Sequence, residues 1–370
     1  MTRKAPDVVI IGGGVIGSAI ALRLAQEKLR VTVLDQSEPG QEASGVAAGI
    51  LSPQAESNGP TPFFQLAHAS RALYPSFAEE LRETTGMDVE LRLDGVVSVA
   101  ENETEDGELA ARFQWQSEAG LAVERLSAKE LTELEPSLRP GLRGGIFFPN
   151  DGHVVGPRVT EAVIRAAVSS GVRFESGNPA RRILHENGRL TGVETANGVV
   201  ACAQAVNAAG AWSGFDSTLP FAVPIRPARG DIVALRGEPV PRHVVYSHEF
   251  YVVPRLDGRI LLGATMEFAG FDSRVKAAGV QKLMTRCFGL LPDLEGAEFD
   301  SAWAGLRPCA PDQLPILGTT PIDGLHVATG HCRNGILLAP VTARIAADII
   351  ARGTSEFDLS PFSVSRFENA

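Results

Sequence analysis

Residues 7–35, DVVIIGGGVIGSAIALRLAQEKLRVTVLD, constrain the chain more than any other stretch. A β-branched run from Val8 to Ile11 stops at three successive glycines. A helix pattern follows from Val15 to about Glu27, and a second β-branched run, Val31 to Leu34, ends in Asp35. The order predicts strand, tight turn, helix and strand, with Gly12, Gly14 and Gly17 in the G-x-G-x-x-G spacing. Gly12 permits the sharp turn, Gly14 lets a pyrophosphate approach the backbone, and Gly17 lets helix and strand pack closely. The helix start at Val15 and Ile16 offers free N–H groups and a partial positive charge to phosphates. Asp35, with Gln36 beside it, is placed to accept hydrogen bonds from ribose hydroxyls. A carboxylate there disfavours a 2′-phosphate, which points to FAD or NAD rather than NADP.

A chain of 370 residues suggests two domains or one large one. Its net charge of −10, with no basic run, argues against nucleic acid or an anionic membrane as partner. Cys202, Cys287, Cys309 and Cys332 are scattered without a C-x-x-C, so neither a disulfide framework nor a metal site is expected, and a reducing cytoplasm fits. Arg3 and Lys4 before the apolar run imitate a signal peptide. That run breaks at Gly12–Gly14 and flows into a helix carrying Arg23, so it reads as the nucleotide-binding strand and helix. No other apolar stretch approaches the ~20 residues that span a bilayer.

Residues 36–62 are loop-like, and EASGVAAGIL (42–51) within them is rich in small residues. Small side chains let backbone lie against a flat ligand, so Ser44, Ala47, Ala48, Gly49 and Leu51 are expected beside a cofactor. Helices are predicted over 63–85, 107–119, 127–134 and 157–170, with an acidic solvated turn at Glu101 to Gly107. Asn187-Gly188 and Asn197-Gly198 mark hairpins, and AQAVNAAGAW (203–212) is an apolar strand running into small residues, a place where ligands lie in open α/β sheets. Phe221 to about Leu291 reads as mainly β, with a hairpin at Leu256-Asp257-Gly258. GHCRNGILLAPVTARIAADIIAR (330–352) is a Gly-rich turn opening an amphipathic helix.

Two strand-to-glycine-to-helix units thus stand at opposite ends of the chain. Bringing both onto one cofactor makes the nucleotide domain discontinuous. The fold class expected is α/β: a Rossmann-like FAD-binding domain (1–51, 152–215, 303–370) and a β-rich α+β substrate domain (52–151, 216–302).

Six blocks in order, VVIIGGGVIGSAIALRL, EASGVAAGIL, AVNAAGAW, YVVPR–GRILLGATM, WAGLRPCAPDQLPILG and GLHVATGHCRNGILLAP, resemble the D-amino-acid oxidase superfamily of flavoproteins, closest to its glycine oxidase branch. The resemblance implies non-covalent FAD and oxidative deamination of glycine or another small amine (sarcosine, small D-amino acids). A hydride passes to the flavin, and O2 then becomes H2O2. A dehydrogenase of D-amino acids or amines serving a quinone or carrier is the alternative on the same fold. Arg307 of GLRP and Tyr251 of FYVVPR resemble the pair that anchors the substrate carboxylate, a role a guanidinium fork suits. Met266 resembles a pocket-lining methionine, and Glu249 stands near the pocket mouth where branch members offer a histidine. Arg333 and Asn334 resemble residues at the flavin's reactive edge, with Gly335, Ile336 and Leu337 at the helix start facing its pyrimidine end. Gly305, His331, Ala208, Gly210, Trp212, Arg173 and Phe174 complete the cofactor set that the resemblance implies. It also implies a homotetramer and a role for the product imine in thiamine synthesis. Asp35 replaces the family's usual glutamate, and His331-Cys332 replaces a histidine-aromatic pair. Some members link FAD through a cysteine, but that position falls near Gly305.

Overall fold

The structure, a computed structural model, describes residues 5–238 and 241–367; Arg3 and Lys4 lie outside the described residues. The glycine-rich stretch folds as its pattern predicts: strand Val8–Ile11, helix Val15–Gln26, strand Val31–Leu34. These strands sit inside a six-stranded sheet. Its order is Ile316–Thr319, Leu325–Thr329, Gln204–Asn207, Val8–Ile11, Val31–Leu34 and Arg173–Glu175. All neighbours pair parallel except the first two. Segments from both ends of the chain therefore share one sheet, and the carboxyl ends of its parallel strands open onto a common crevice.

An eight-stranded sheet forms the second layer, in the order Glu298–Cys309, Arg226–Arg236, Arg259–Gly263, Tyr251–Pro254, Val244–Tyr246, Val96–Ala100, Gly144–Phe148 and Glu124–Ser127. The Leu256-Asp257-Gly258 hairpin joins two of these strands, and the Asn-Gly hairpins build a separate three-stranded sheet. Two boundaries differ from the sequence expectation. The strand Glu298–Cys309 runs through position 303 and stays in the eight-stranded sheet to its end, because it pairs with Arg226–Arg236 along its whole length. Helix Pro62–Thr85 buries Leu66, Ala67, Tyr74 and Leu81 in the core of the nucleotide domain, not of the substrate domain.

Two elements depart from the expectation in kind. Ala277–Leu290 is a helix within the stretch read as mainly β; its buried Leu283, Cys287 and Leu290 recur at helical spacing, which is the signal for it. The acidic run at 101–107 opens a helix (Glu103–Glu118). Asn102 caps it by accepting from the Glu105 N–H at 3.1 Å, and Glu103, Glu105 and Asp106 complement its positive end. Among the described residues no helix is long and apolar enough to cross a membrane.

One buried polar knot fixes a loop that matters below. Asp151, fully buried, accepts N–H bonds from Gln54 and Ala55 at 3.1 Å each and pairs with Arg71. In the same cluster the Gln54 side-chain amide donates to Gln116 Oε1, and the Gln116 amide donates to the Gln54 backbone carbonyl, each at 2.9 Å. Asp151→Ala leaves Arg71 buried without its charge partner, held only by Gln54 Oε1 at 2.8 Å, and two N–H groups without their acceptor. It is expected to cost about 3–5 kcal/mol in chemical denaturation, and Asp151→Asn, which keeps shape and one acceptor, clearly less.

Candidate active site

The crevice begins at the glycine turn. Gly12 has φ +104°, and a Cβ there would lie 2.4 Å from the Ala208 carbonyl oxygen. A Cβ on Gly17 would lie 1.9 Å from the Gly12 carbonyl oxygen, the close helix–strand contact the spacing anticipates. Gly14 caps the helix with no side chain of its own, and no acid stands in the first turn, so the positive end of the helix faces the crevice. The Asp35 carboxylate accepts the Gly13 N–H at 2.7 Å and the Ser37 N–H at 2.9 Å, which orients it at the crevice floor. Ser44 Oγ accepts the Val15 N–H at 3.0 Å and ties the small-residue loop to the helix start. The Trp303 indole donates to the Val46 carbonyl at 3.0 Å, which ties that loop to the second sheet.

Of the residues proposed for the cofactor, Gly12, Gly14, Val15, Ile16, Asp35, Gln36, Ser44, Ala47, Ala48, Gly49, Ala208, Gly210, Trp212, Gly305, His331, Arg333, Gly335 and Ile336 line this one cleft. Others do not. Leu51 and Leu337 are buried in the apolar core behind it, because both point into the helix layer. Asn334 caps the last helix, Gly335–Arg352, without lining the cleft. Arg173 and Phe174 lie on the sheet's edge strand, Arg173 exposed and paired with Glu175. Pro179 and Ala180, past the following turn, reach the cleft instead.

Tyr251, Arg307 and Arg333 stand where the cleft meets a second, more polar cavity of about 390 Å3, which all three also line, together with Met266 and Glu249. Arg307 is enclosed by protein, yet its head is open to the cavities, and Nη1 donates to the Thr265 carbonyl at 2.9 Å. Burial lowers its pKa and the neighbouring Tyr251 raises it, and the group stays cationic. Burial raises the Tyr251 phenol, so it is a neutral donor near neutral pH. Met266 is 38% exposed at the rim. Glu249 faces Arg286 at 3.1 Å rather than the anchoring pair.

The sequence gives no hint of three further features. Glu56 holds Arg333 at 3.0 Å and accepts the Tyr246 hydroxyl at 2.7 Å. Glu56 raises the Arg333 pKa further, and the pair crosses 277 residues of chain, beyond any local pattern. Cys309 and Cys332 form a disulfide, contrary to the reading of scattered free thiols. Strand pairing brings them together from 23 residues apart, so spacing could not reveal the bridge, and the argument from cysteines for a reducing compartment falls with it. Cys202 and Cys287 are buried free thiols that line neither cavity. Gly230 makes room for the arginine: a Cβ there would stand 2.0 Å from Arg307 Nη1. Gly230→Ala is therefore expected to displace a flexible side chain, lowering kcat/KM about a hundredfold while the melting temperature stays within a few degrees, as paired kinetics and calorimetry check.

A crevice that presents a helix N-terminus, an oriented carboxylate and a wall of small residues fits a dinucleotide. It ends at a second cavity lined by Arg307, Tyr251 and Arg333, the arrangement of a dinucleotide-dependent enzyme with a polar pocket beside its cofactor cleft. Residues 7–349 match the family described as FAD dependent oxidoreductase. A glycine oxidase of Geobacillus kaustophilus is 38% identical over 366 residues, 97% of each chain. The crystal structure of the glycine oxidase from that organism superposes with a TM-score of 0.95 over 98% of each chain. A bifunctional protein ThiO/ThiG of Trichormus variabilis is 36% identical over 382 residues, all of this chain and 56% of that one. The chain belongs to the FAD dependent oxidoreductase family. It is an FAD-dependent enzyme of amine or amino-acid oxidation.

Proposed function

We propose that the substrate is glycine or a similarly small amine, such as sarcosine or a small D-amino acid, and that dioxygen is the electron acceptor. The observation that carries this reading is the placement of Arg307 and Tyr251 at the junction of the dinucleotide cleft and the second cavity. Arg307 grips the substrate carboxylate and Tyr251 donates to it, which fixes the Cα–H relative to the cleft. Glu56 neutralises Arg333, whereas Arg307 stands beside Tyr251 at the junction and is the cation offered to the substrate there. Gly14, Val15 and Ile16 would hold the pyrophosphate and Asp35 the ribose, while the 43–49 loop, Gly305 and the start of the last helix would flank the flavin. When bound, FAD supplies the two-electron oxidant. A cysteinyl link to it is not available among the described cysteines: only Cys332 lines the cleft, and its sulfur is engaged with Cys309. The family resemblance makes a homotetramer the assembly to test by sedimentation.

Peroxide release in air from glycine, sarcosine, D-alanine and D-proline tests the reading. Peroxide from glycine or sarcosine at the highest kcat/KM is expected. Reduction of the flavin by these amines without peroxide would contradict the oxidase and favour a carrier-linked dehydrogenase.

A further inference from the structure

The Cys309–Cys332 disulfide sits between the two arginines of the site. Cys309 ends the strand that carries Arg307 two residues earlier, and Cys332 immediately precedes Arg333. Backbone pairing joins the same segments: Cys309 bridges to His331, and the Cys332 N–H donates to the Pro308 carbonyl at 2.9 Å. Cys332 holds φ +46°, a left-handed conformation a side-chain-bearing residue adopts only where its surroundings impose it. On the far side, His331 Nε2 lies 3.0 Å from Thr342 Oγ1 within the last helix, and burial keeps the imidazole neutral, with its pKa lowered to about 3. The short turn that presents Arg333 to Glu56 is thus tied to the helix through His331 and to the Arg307 strand through the disulfide.

We propose that the Cys309–Cys332 disulfide is a positioning element of the substrate pocket, a covalent clasp that sets the spacing of Arg307 and the Arg333–Glu56 pair. The inference rests on the proposed carboxylate pocket and deepens it. Opening the clasp leaves the backbone bonds and lets the Arg333 turn drift, so the carboxylate grip weakens more than the chemical step. Cys332 is half-exposed toward the cleft that FAD would fill, whereas Cys309 is 1% exposed, so Cys332 Sγ is the more accessible of the two sulfurs. A dithiol opens the clasp by thiol–disulfide exchange. Its thiolate attacks Cys332 Sγ, the S–S bond breaks, and the second thiol closes the reductant into its own disulfide. Two electrons and two protons end on Cys309 and Cys332. A peroxide reverses this, two thiols and one H2O2 giving the disulfide and two waters.

The test uses the holoenzyme. Peptide mapping of the unreduced, alkylated protein reads the 309–332 link. KM and kcat for glycine, and the Kd of acetate from its perturbation of the flavin spectrum, are measured before and after a dithiol and after re-oxidation with peroxide. The expected result is a linked peptide. Reduction raises KM and acetate Kd on the order of tenfold with kcat changed less than about twofold, and re-oxidation restores both. Cys332→Ser and Cys309→Ser show the raised values and no response to dithiol. Unlinked peptides, or a KM and acetate Kd that reduction leaves unchanged, would overturn the clasp whatever kcat does. A linked protein that binds acetate redox-dependently but oxidises none of the amines would instead overturn the substrate reading and leave the clasp standing.

Discussion

Arg307→Met lowers kcat/KM for glycine by two to three powers of ten, the equivalent of about 3–4 kcal/mol. The guanidinium is enclosed by protein with its head open to the cavities, so a carboxylate bound there loses water that this group and Tyr251 replace. Methionine is of similar size without charge, and the substrate carboxylate then enters the junction without the guanidinium that grips it there. Arg333 cannot take over, because Glu56 already neutralises it at 3.0 Å. Arg307→Lys recovers only part of the loss, since an ammonium keeps the charge but not the fork. Steady-state kinetics with flavin content measured in parallel check this; an Arg307→Met enzyme within about fivefold of the parent would remove Arg307 from the site.

Gly17→Ala acts on the cofactor instead. The added methyl would stand 1.9 Å from the Gly12 carbonyl oxygen, which is backbone and cannot rotate away. Helix Val15–Gln26 must then shift off its strand, which costs about 3 kcal/mol and spoils the phosphate-facing turn. The variant is expected to purify colourless with a lowered denaturation midpoint. Gly14→Ala separates the two effects. A Cβ there meets only Ser44 Oγ, at 3.1 Å, so the fold tolerates it and any loss of flavin comes from the methyl facing the pyrophosphate. Full flavin content in Gly17→Ala would contradict the close packing on which the crevice depends.

The features legible in the sequence are those whose information is local. Gly12, Gly14, Gly17 and Asp35 lie within one βαβ unit, and their spacing states their packing directly. Arg307, Tyr251 and Arg333 come from three segments more than 200 residues beyond that unit, two different strands and the turn before the last helix. They were legible through resemblance of whole blocks, not through any periodicity. Glu56 sits in a loop without pattern, and its place beside Arg333 and Tyr246 is set by Asp151 and Arg71 gripping the preceding residues. The disulfide depends on the end of one strand meeting a turn of another domain segment. Leu51 and Leu337 follow Ile50 and Ile336, which do line the cleft, whereas Arg173 and Phe174, expected from the resemblance, have no lining neighbour. In a strand or helix start, the neighbour of a lining residue points the other way, into the core.

The measurement that bears most directly on the account is an anaerobic titration of the purified protein with glycine, followed by admission of air. The account predicts a yellow protein whose oxidised-flavin bands bleach on addition of glycine and return with stoichiometric peroxide when oxygen enters. A protein that binds added FAD yet keeps its oxidised spectrum with glycine, sarcosine and small D-amino acids would contradict it.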